Sequence, residues 1–198
     1  MEAFVYVVLA VTSVVGLTFI VERGWALRWR RVVPPEVHSA LESCQGRQDL
    51  PVLRRVCQQH DSPISRLLLL AADHLHWPKD ENVDALQTRA RQEITRLERG
   101  LVVIEIIVGI APLLGLVGTI AGMMTLFGDI GEAGLTDATR LAKGIALILN
   151  ATLIGLLIAI PCLIFWSYYS KKVETIAVEM ETLCDEFIRR QYREEARK

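Results

Sequence analysis

Apolar positions fall along this chain in three long runs, residues 3–21, 101–127 and 144–169, and nearly all the charge lies between them. A bilayer core of ~30 Å needs about 20 helical residues, so each run is long enough to cross it. The second and third runs stand only sixteen residues apart and predict a transmembrane hairpin. The first run is preceded by Glu2 rather than by arginines and lacks the leading charge of a secretory signal, so it reads as a retained span. Arg23, Arg28, Arg30 and Arg31 follow it, which by the positive-inside rule puts this end in the cytoplasm and the N-terminus outside.

Between the first and second runs the periodicity is that of short helices. Val37, Leu41 and Cys44 form one amphipathic stripe that stops at Gly46. Asp49 stands where an N-cap would precede a helix bearing Val52, Leu53 and Val56, and Ser62-Pro63 opens another helix that ends near Trp77-Pro78. From Glu81 onward Val83, Leu86, Ala90, Ile94 and Leu97 recur at heptad-like spacing without a proline before Pro112, predicting one helix that runs on into the second span. Beyond Lys171-Lys172 a stripe of Val173, Ile176 or Ala177, Met180, Leu183 or Cys184, and Phe187 or Ile188 continues the third span; it is expected to pack on the helix of residues 81–99 or on a neighbouring subunit.

The fold class is therefore an all-α membrane protein. Three transmembrane helices combine with a helical cytoplasmic domain, and long cytoplasmic helices extend the second and third spans. In segments, residues 1–22 are the first span, 23–99 the cytoplasmic domain, 100–127 the second span, 128–143 a short periplasmic loop, 144–170 the third span and 171–198 a cytoplasmic C-terminal helix. The loop carries Asp129, Glu132 and Asp137 against Arg140 and Lys143, with Gly131 and Gly134 to turn it.

Composition agrees with this division: 52% of the 198 residues are hydrophobic and 23% charged, yet the net charge is only -1, so bulk charge points to no nucleic-acid partner. The four cysteines, Cys44, Cys57, Cys162 and Cys184, lack the spacing of a zinc or redox site. No nucleophile with its base, no metal cluster and no phosphate-cradling loop is legible, which excludes a soluble enzyme and calls for no cofactor.

The spans carry more than an anchor needs. Ala111, Gly115, Gly118 and Gly122 line one side of the second, and Ala151, Gly155 and Ala159 make a matching row of small residues on the third, the signature of close helix packing in lipid. Glu105 is costly at membrane depth unless protonated, solvated or paired. It either reaches the inner interface or pairs with Arg99 or Arg23, or else serves as a pore-facing, proton-exchanging acid. A seven-residue step drifts only ~20° around a helix, so Glu105, Pro112 and Thr119 share roughly one face. Thr119 and Thr152 can bond back to a carbonyl one turn earlier. Asn150 has donors and acceptors to satisfy, across helices or in water.

The segment APLLGLVGTIAGMMTLF, followed by a short acidic connector and then LAKGIALILNATLIGLLIAIP, resembles the MotA/TolQ/ExbB proton-channel family, and its ExbB/TolQ branch in span number and layout. The resemblance implies a homopentamer in the bacterial inner membrane around two ExbD/TolR-like single-span partners. Protons would pass through an aspartate of the partner, and force would reach the envelope through a TonB- or TolA-like protein. It places Thr119 and Thr152 on the family's pore-lining threonines, with Glu105 and Asn150 as further candidates for the ion path. One departure stands out: the family pattern GI-x-E-A-L-x-x-T has a glutamate where this chain has Leu147. That substitution motivates the alternative of a non-conducting scaffold or regulatory paralogue.

Overall fold

The computed structural model describes residues 2–133 and 138–195. Gly134 and Asp137 lie outside them, as do the side chains of Asp129, Glu132, Arg140 and Lys143. The described residues are helical in succession: α1 Glu2–Ala26, α2 Trp29–Val32, α3 Pro35–Ser43, a 3-10 turn at Arg47–Asp49, α4 Leu50–Gln59, α5 Pro63–Asp73, α6 Lys79–Glu98, α7 Leu101–Ala133 and α8 Ala138–Glu195. Three of them contain stretches long and apolar enough to span a membrane, Phe4–Ala26, Leu101–Gly128 and the start of Gly144–Arg193. The chain divides into two compact units: residues 1–23 with 100–168, and residues 24–99 with 169–198.

The first unit is a three-helix bundle closed by small residues. Gly16 of α1 lies against Cys162 and Ile107, while Val5 sits beside Gly118. Gly144 meets Leu126. These pairings make α7 and α8 antiparallel, with α1 running alongside α8 and against α7. Only 22–33% of each span's most apolar window is buried, so most of the bundle's apolar surface faces outward, as a lipid-exposed or oligomeric surface must.

The second unit has its own core, in which Val37, Leu41, Leu53, Ile64, Leu67 and Leu68 join Ile176, Met180, Cys184, Phe187 and Ile188 of α8. The C-terminal stripe thus packs into the core of α3–α5, with Leu86 of α6 at its margin. Between α6 and α8 an open groove of about 640 Å³ remains, lined by Val83, Ala90, Ile94, Ala177 and Asp185 among others.

Two local expectations change. Asp49 occupies the position before α4 without capping it; its carboxylate accepts from the backbone N–H of Gln45 (3.0 Å) and Gly46 (3.3 Å) instead, closing the preceding turn. The helix expected to continue from residue 81 into the second span is interrupted by a turn at Arg99-Gly100. A Cβ at 100 would meet the end of the Arg23 side chain, a flexible group that can turn aside, so the close approach does not by itself require glycine. Ser62 does cap α5, its hydroxyl accepting from Ser65 N–H at 3.2 Å.

Burial pushes the Cys57 thiol up to about 11, against a hydrogen bond with Ser65 that lowers it, and burial pushes Cys184 up to about 12. Both values lie above the ordinary 9.0, so the folded state holds protons that the unfolded chain releases first. The stabilisation is whole below pH ~9 and is lost as pH rises toward the folded values. The expected result is a denaturation midpoint that falls between pH 9 and pH 11, and alkylation of these thiols only after unfolding. Rapid labelling of both in the folded protein at pH 8 would contradict the burial.

Candidate functional site

The seam between α7 and α8 is built from backbone as much as from side chains. A Cβ at Gly115 would lie 2.9 Å from the carbonyl of Ala151 and 3.0 Å from Cα of Thr152. One at Gly155 would lie 2.6 Å from the carbonyl of Ala111. Ala111, Ala151 and Ala159 are all buried beside them. Such closeness is available only where both helices present small residues.

Proximity then makes a polar contact possible. The Thr152 hydroxyl donates to the Gly115 carbonyl at 3.3 Å, across 37 residues of sequence. Thr119, one turn beyond Gly115, donates locally to Leu116 O at 2.7 Å. Thr152 thus bonds between the two helices, whereas the Thr119 hydroxyl bonds within its own helix. Gly118 and Gly122 line a narrow void with Val5, Tyr6, Leu147, Ile148 and Ala151. Its volume, about 10 Å³, is at the limit for a single water. Pro112 and Pro161 both lie inside continuous helix.

Glu105 and Asn150 are not part of this seam. Both are exposed on the outer surface of the bundle, and neither has a hydrogen-bond or ion-pair partner among the described residues. Arg23 pairs with its neighbour Glu22. The reason lies in helix rotation: the buried stripe of Leu101, Ile104, Ile107 and Ala111 turns α7 so that position 105 points away from the bundle.

Leu147, at the position of the absent family glutamate, is 54% exposed. Its carbonyl accepts a long hydrogen bond, 3.4 Å, from the hydroxyl of Tyr6. Tyr6 was invisible as a site residue in sequence; a tyrosine within an apolar span was the available signal, since a phenol in lipid seeks a partner. Among the described residues no group of three or more histidines, cysteines or carboxylates is arranged to hold a metal ion.

The pattern of the MotA/TolQ/ExbB proton channel family matches residues 59–182, a stretch that includes both hairpin spans. The chain is 32% identical over 163 residues to the putative biopolymer transport protein ExbB-like 1 of Synechocystis sp., covering 79% of this chain and 63% of that protein. It is 30% identical over 145 residues to the putative biopolymer transport protein ExbB homolog of Methanothermobacter thermautotrophicus, covering 73% and 51%. With the biopolymer transport protein ExbB of Aquifex aeolicus it shares 32% identity over 105 residues, covering 53% and 70%. The chain spans less than two thirds of the length of the first two of these relatives. Since the family pattern runs through both spans of the seam and over more than half of the chain, this chain, with its three candidate membrane spans, belongs to the MotA/TolQ/ExbB proton channel family.

Proposed function

We propose that the chain is the wall-forming subunit of an ion-driven motor in the bacterial inner membrane, with the N-terminus periplasmic and the helical unit cytoplasmic. Five copies would surround the transmembrane helices of ExbD/TolR-like partners, probed in turn by a TonB- or TolA-like protein that carries force to the envelope. The observation that supports this reading is the seam itself: α7 and α8 close on one another through the Thr152–Gly115 hydrogen bond and small residues, on a bundle whose outer apolar faces are mostly uncovered.

The void inside the bundle, about 10 Å³, is too small for a conducting path, so protons would cross between this subunit and another chain. The absence of an acid at Leu147 fits that arrangement, because the titrating carboxylate would be supplied by the partner helix. Exposed Glu105 and Asn150 would then face lipid, a neighbouring subunit or the partner rather than an internal channel.

Leu147 also favours a second reading, a non-conducting scaffold or regulatory paralogue. The two separate on flux. In the motor, the Thr119→Val/Thr152→Val variant is expected to assemble, since an interhelical hydrogen bond in lipid is worth only ~0.6 kcal/mol on average. Its gradient-driven proton flux, measured with the partner in proteoliposomes, should fall at least about tenfold, equivalent to ~1.4 kcal/mol on the barrier. An assembled double variant retaining full flux sinks the polar path; a wild-type assembly that conducts nothing, and is indifferent to Glu105→Gln, makes the scaffold reading the correct one.

A further inference from the structure

We propose that the short segment from Trp25 to Arg31 is a docking surface for the headgroups of anionic phospholipids. The sequence there reads Trp-Ala-Leu-Arg-Trp-Arg-Arg, and it begins where the first apolar span, Phe4–Ala26, ends. Chain continuity alone therefore keeps these residues within about 17 Å of the end of the span, the reach of a headgroup layer.

The structure holds them in a defined shape. Leu27 is fully buried at one end, and Val32 and Val33 at the other. Between these anchors the backbone turns tightly, Arg31 N–H donating to Arg28 O and Val33 N–H to Trp29 O, each at 2.9 Å. With the apolar residues turned inward, Arg28, Arg30 and Arg31 are all exposed, as are Trp25 and Trp29. Gly24 brings a third aromatic group to the same place: a Cβ there would sit 2.9 Å from the hydroxyl of Tyr169, the residue at which the third apolar run ends.

Unpaired positive charge is densest here within the helical unit: Arg55, Arg91 and Arg99 also lack a carboxylate partner among the described residues, but they stand singly. Arg54, Arg66, Arg89, Arg96, Arg189 and Arg190 each have a carboxylate partner. Arg28, Arg30 and Arg31 have none among the described residues. Lys171, nearby in chain order to Tyr169, is already paired with Glu174 and is not part of the surface. Three guanidiniums within four residues, each a planar fork suited to two phosphate oxygens, lack an internal counter-charge. Flanking tryptophans are the side chains that settle at the headgroup level, apolar body inward and indole N–H toward water. A phospholipid satisfies both halves of this surface; free phosphate would satisfy only the arginines.

The inference rests on the membrane-spanning reading of the chain and not on any partner or on conduction. It is tested with the full-length protein in detergent, offered mixed micelles containing equal phosphatidylglycerol and phosphatidylcholine, the retained lipid being counted by native mass spectrometry. An arginine within headgroup reach is worth about a fivefold preference for an anionic lipid, so wild type should retain phosphatidylglycerol in at least that excess. Arg28→Gln/Arg30→Gln/Arg31→Gln should return the ratio to that of the micelle while the thermal midpoint stays put. Arg55→Gln, an exposed arginine on α4, should leave the preference intact. Equal retention of both lipids by wild type, retention of no lipid, an equal loss with Arg55→Gln, or displacement of the lipid by excess inorganic phosphate would each overturn the proposal; retention of no lipid would also count against the membrane reading, whereas equal retention would leave it standing.

Discussion

Replacing Glu93 by alanine is expected to destabilise the helical unit by about 3–5 kcal/mol, the penalty typical of removing one partner from a buried charge cluster. Glu93 is 0% exposed, and it is the charged residue found buried among the described residues. Both of its oxygens are occupied. Arg66 donates to Oε2 through Nη2 at 2.7 Å and Nε at 3.1 Å. On Oε1, Arg89 approaches at 3.2 Å and Arg96 donates at 3.1 Å. The hydrogen bond that Arg66 donates to Glu93 is the largest reason that its guanidinium is held above even its ordinary high pKa, with Asp61 adding to it.

Truncation at 93 would leave one half-buried cation from α5 and two from α6 facing one another across a hole, with only Asp61 to offset Arg66. Glutamine keeps an acceptor and the volume, so Glu93→Gln should cost less, about 1.5–3 kcal/mol. Arg96 is 59% exposed, and Arg96→Gln should cost no more than ~1 kcal/mol because water screens that pair. Denaturant midpoints of the full chain, followed by tryptophan fluorescence, rank the three. A Glu93→Ala protein as stable as Arg96→Gln would mean that the cluster carries no such energy.

What could be read from the sequence divides along the range of the interactions involved. The apolar runs, the small-residue rows and the Ser62 cap are set within a few residues of themselves, and periodicity exposes them. Family spacing singled out Thr119 and Thr152, but the bond of Thr152 to Gly115 O across the seam was not legible, because it depends on packing 37 residues away. Nor was Glu93, because on a helix bearing several arginines it looks like one more surface partner; its burial depends on Arg66, 27 residues earlier. The turn at Arg99-Gly100 had one local signal, Gly100 itself, which the heptad-like stripe before it and the apolar run after it outweighed. Asp49 failed as a cap because the turn formed by Gln45 and Gly46 competes for the same carboxylate. Glu105 tested the seven-residue argument: sharing a face with Thr119 says nothing of which way that face points until the packing stripe is known.

Gly155→Ala should lower the thermal midpoint of the purified protein, and Gly109→Ala should not, although both add one methyl group to a glycine in an apolar span. At 155 the new carbon would meet Ala111 O at 2.6 Å, Gly115 Cα at 3.2 Å and Gly115 N at 3.3 Å. All three are backbone atoms, so relief requires moving α7 as a body rather than turning a side chain. Overpacking of this kind costs about 1–3 kcal/mol, and the separation would also stretch the Thr152–Gly115 hydrogen bond, already 3.3 Å long. At 109 nothing lies within 4 Å of the added carbon, and a helix gains up to ~1 kcal/mol from alanine over glycine. The midpoints should therefore fall in the order Gly109→Ala at or above wild type, then Gly155→Ala, with Gly155→Leu lowest. If Gly155→Ala matched Gly109→Ala, the two helices would not be closed on one another at this seam. If the chain is the wall of an ion path as proposed, the same variant should also lower proton flux in the assembled complex, because Thr152 is positioned by that closure.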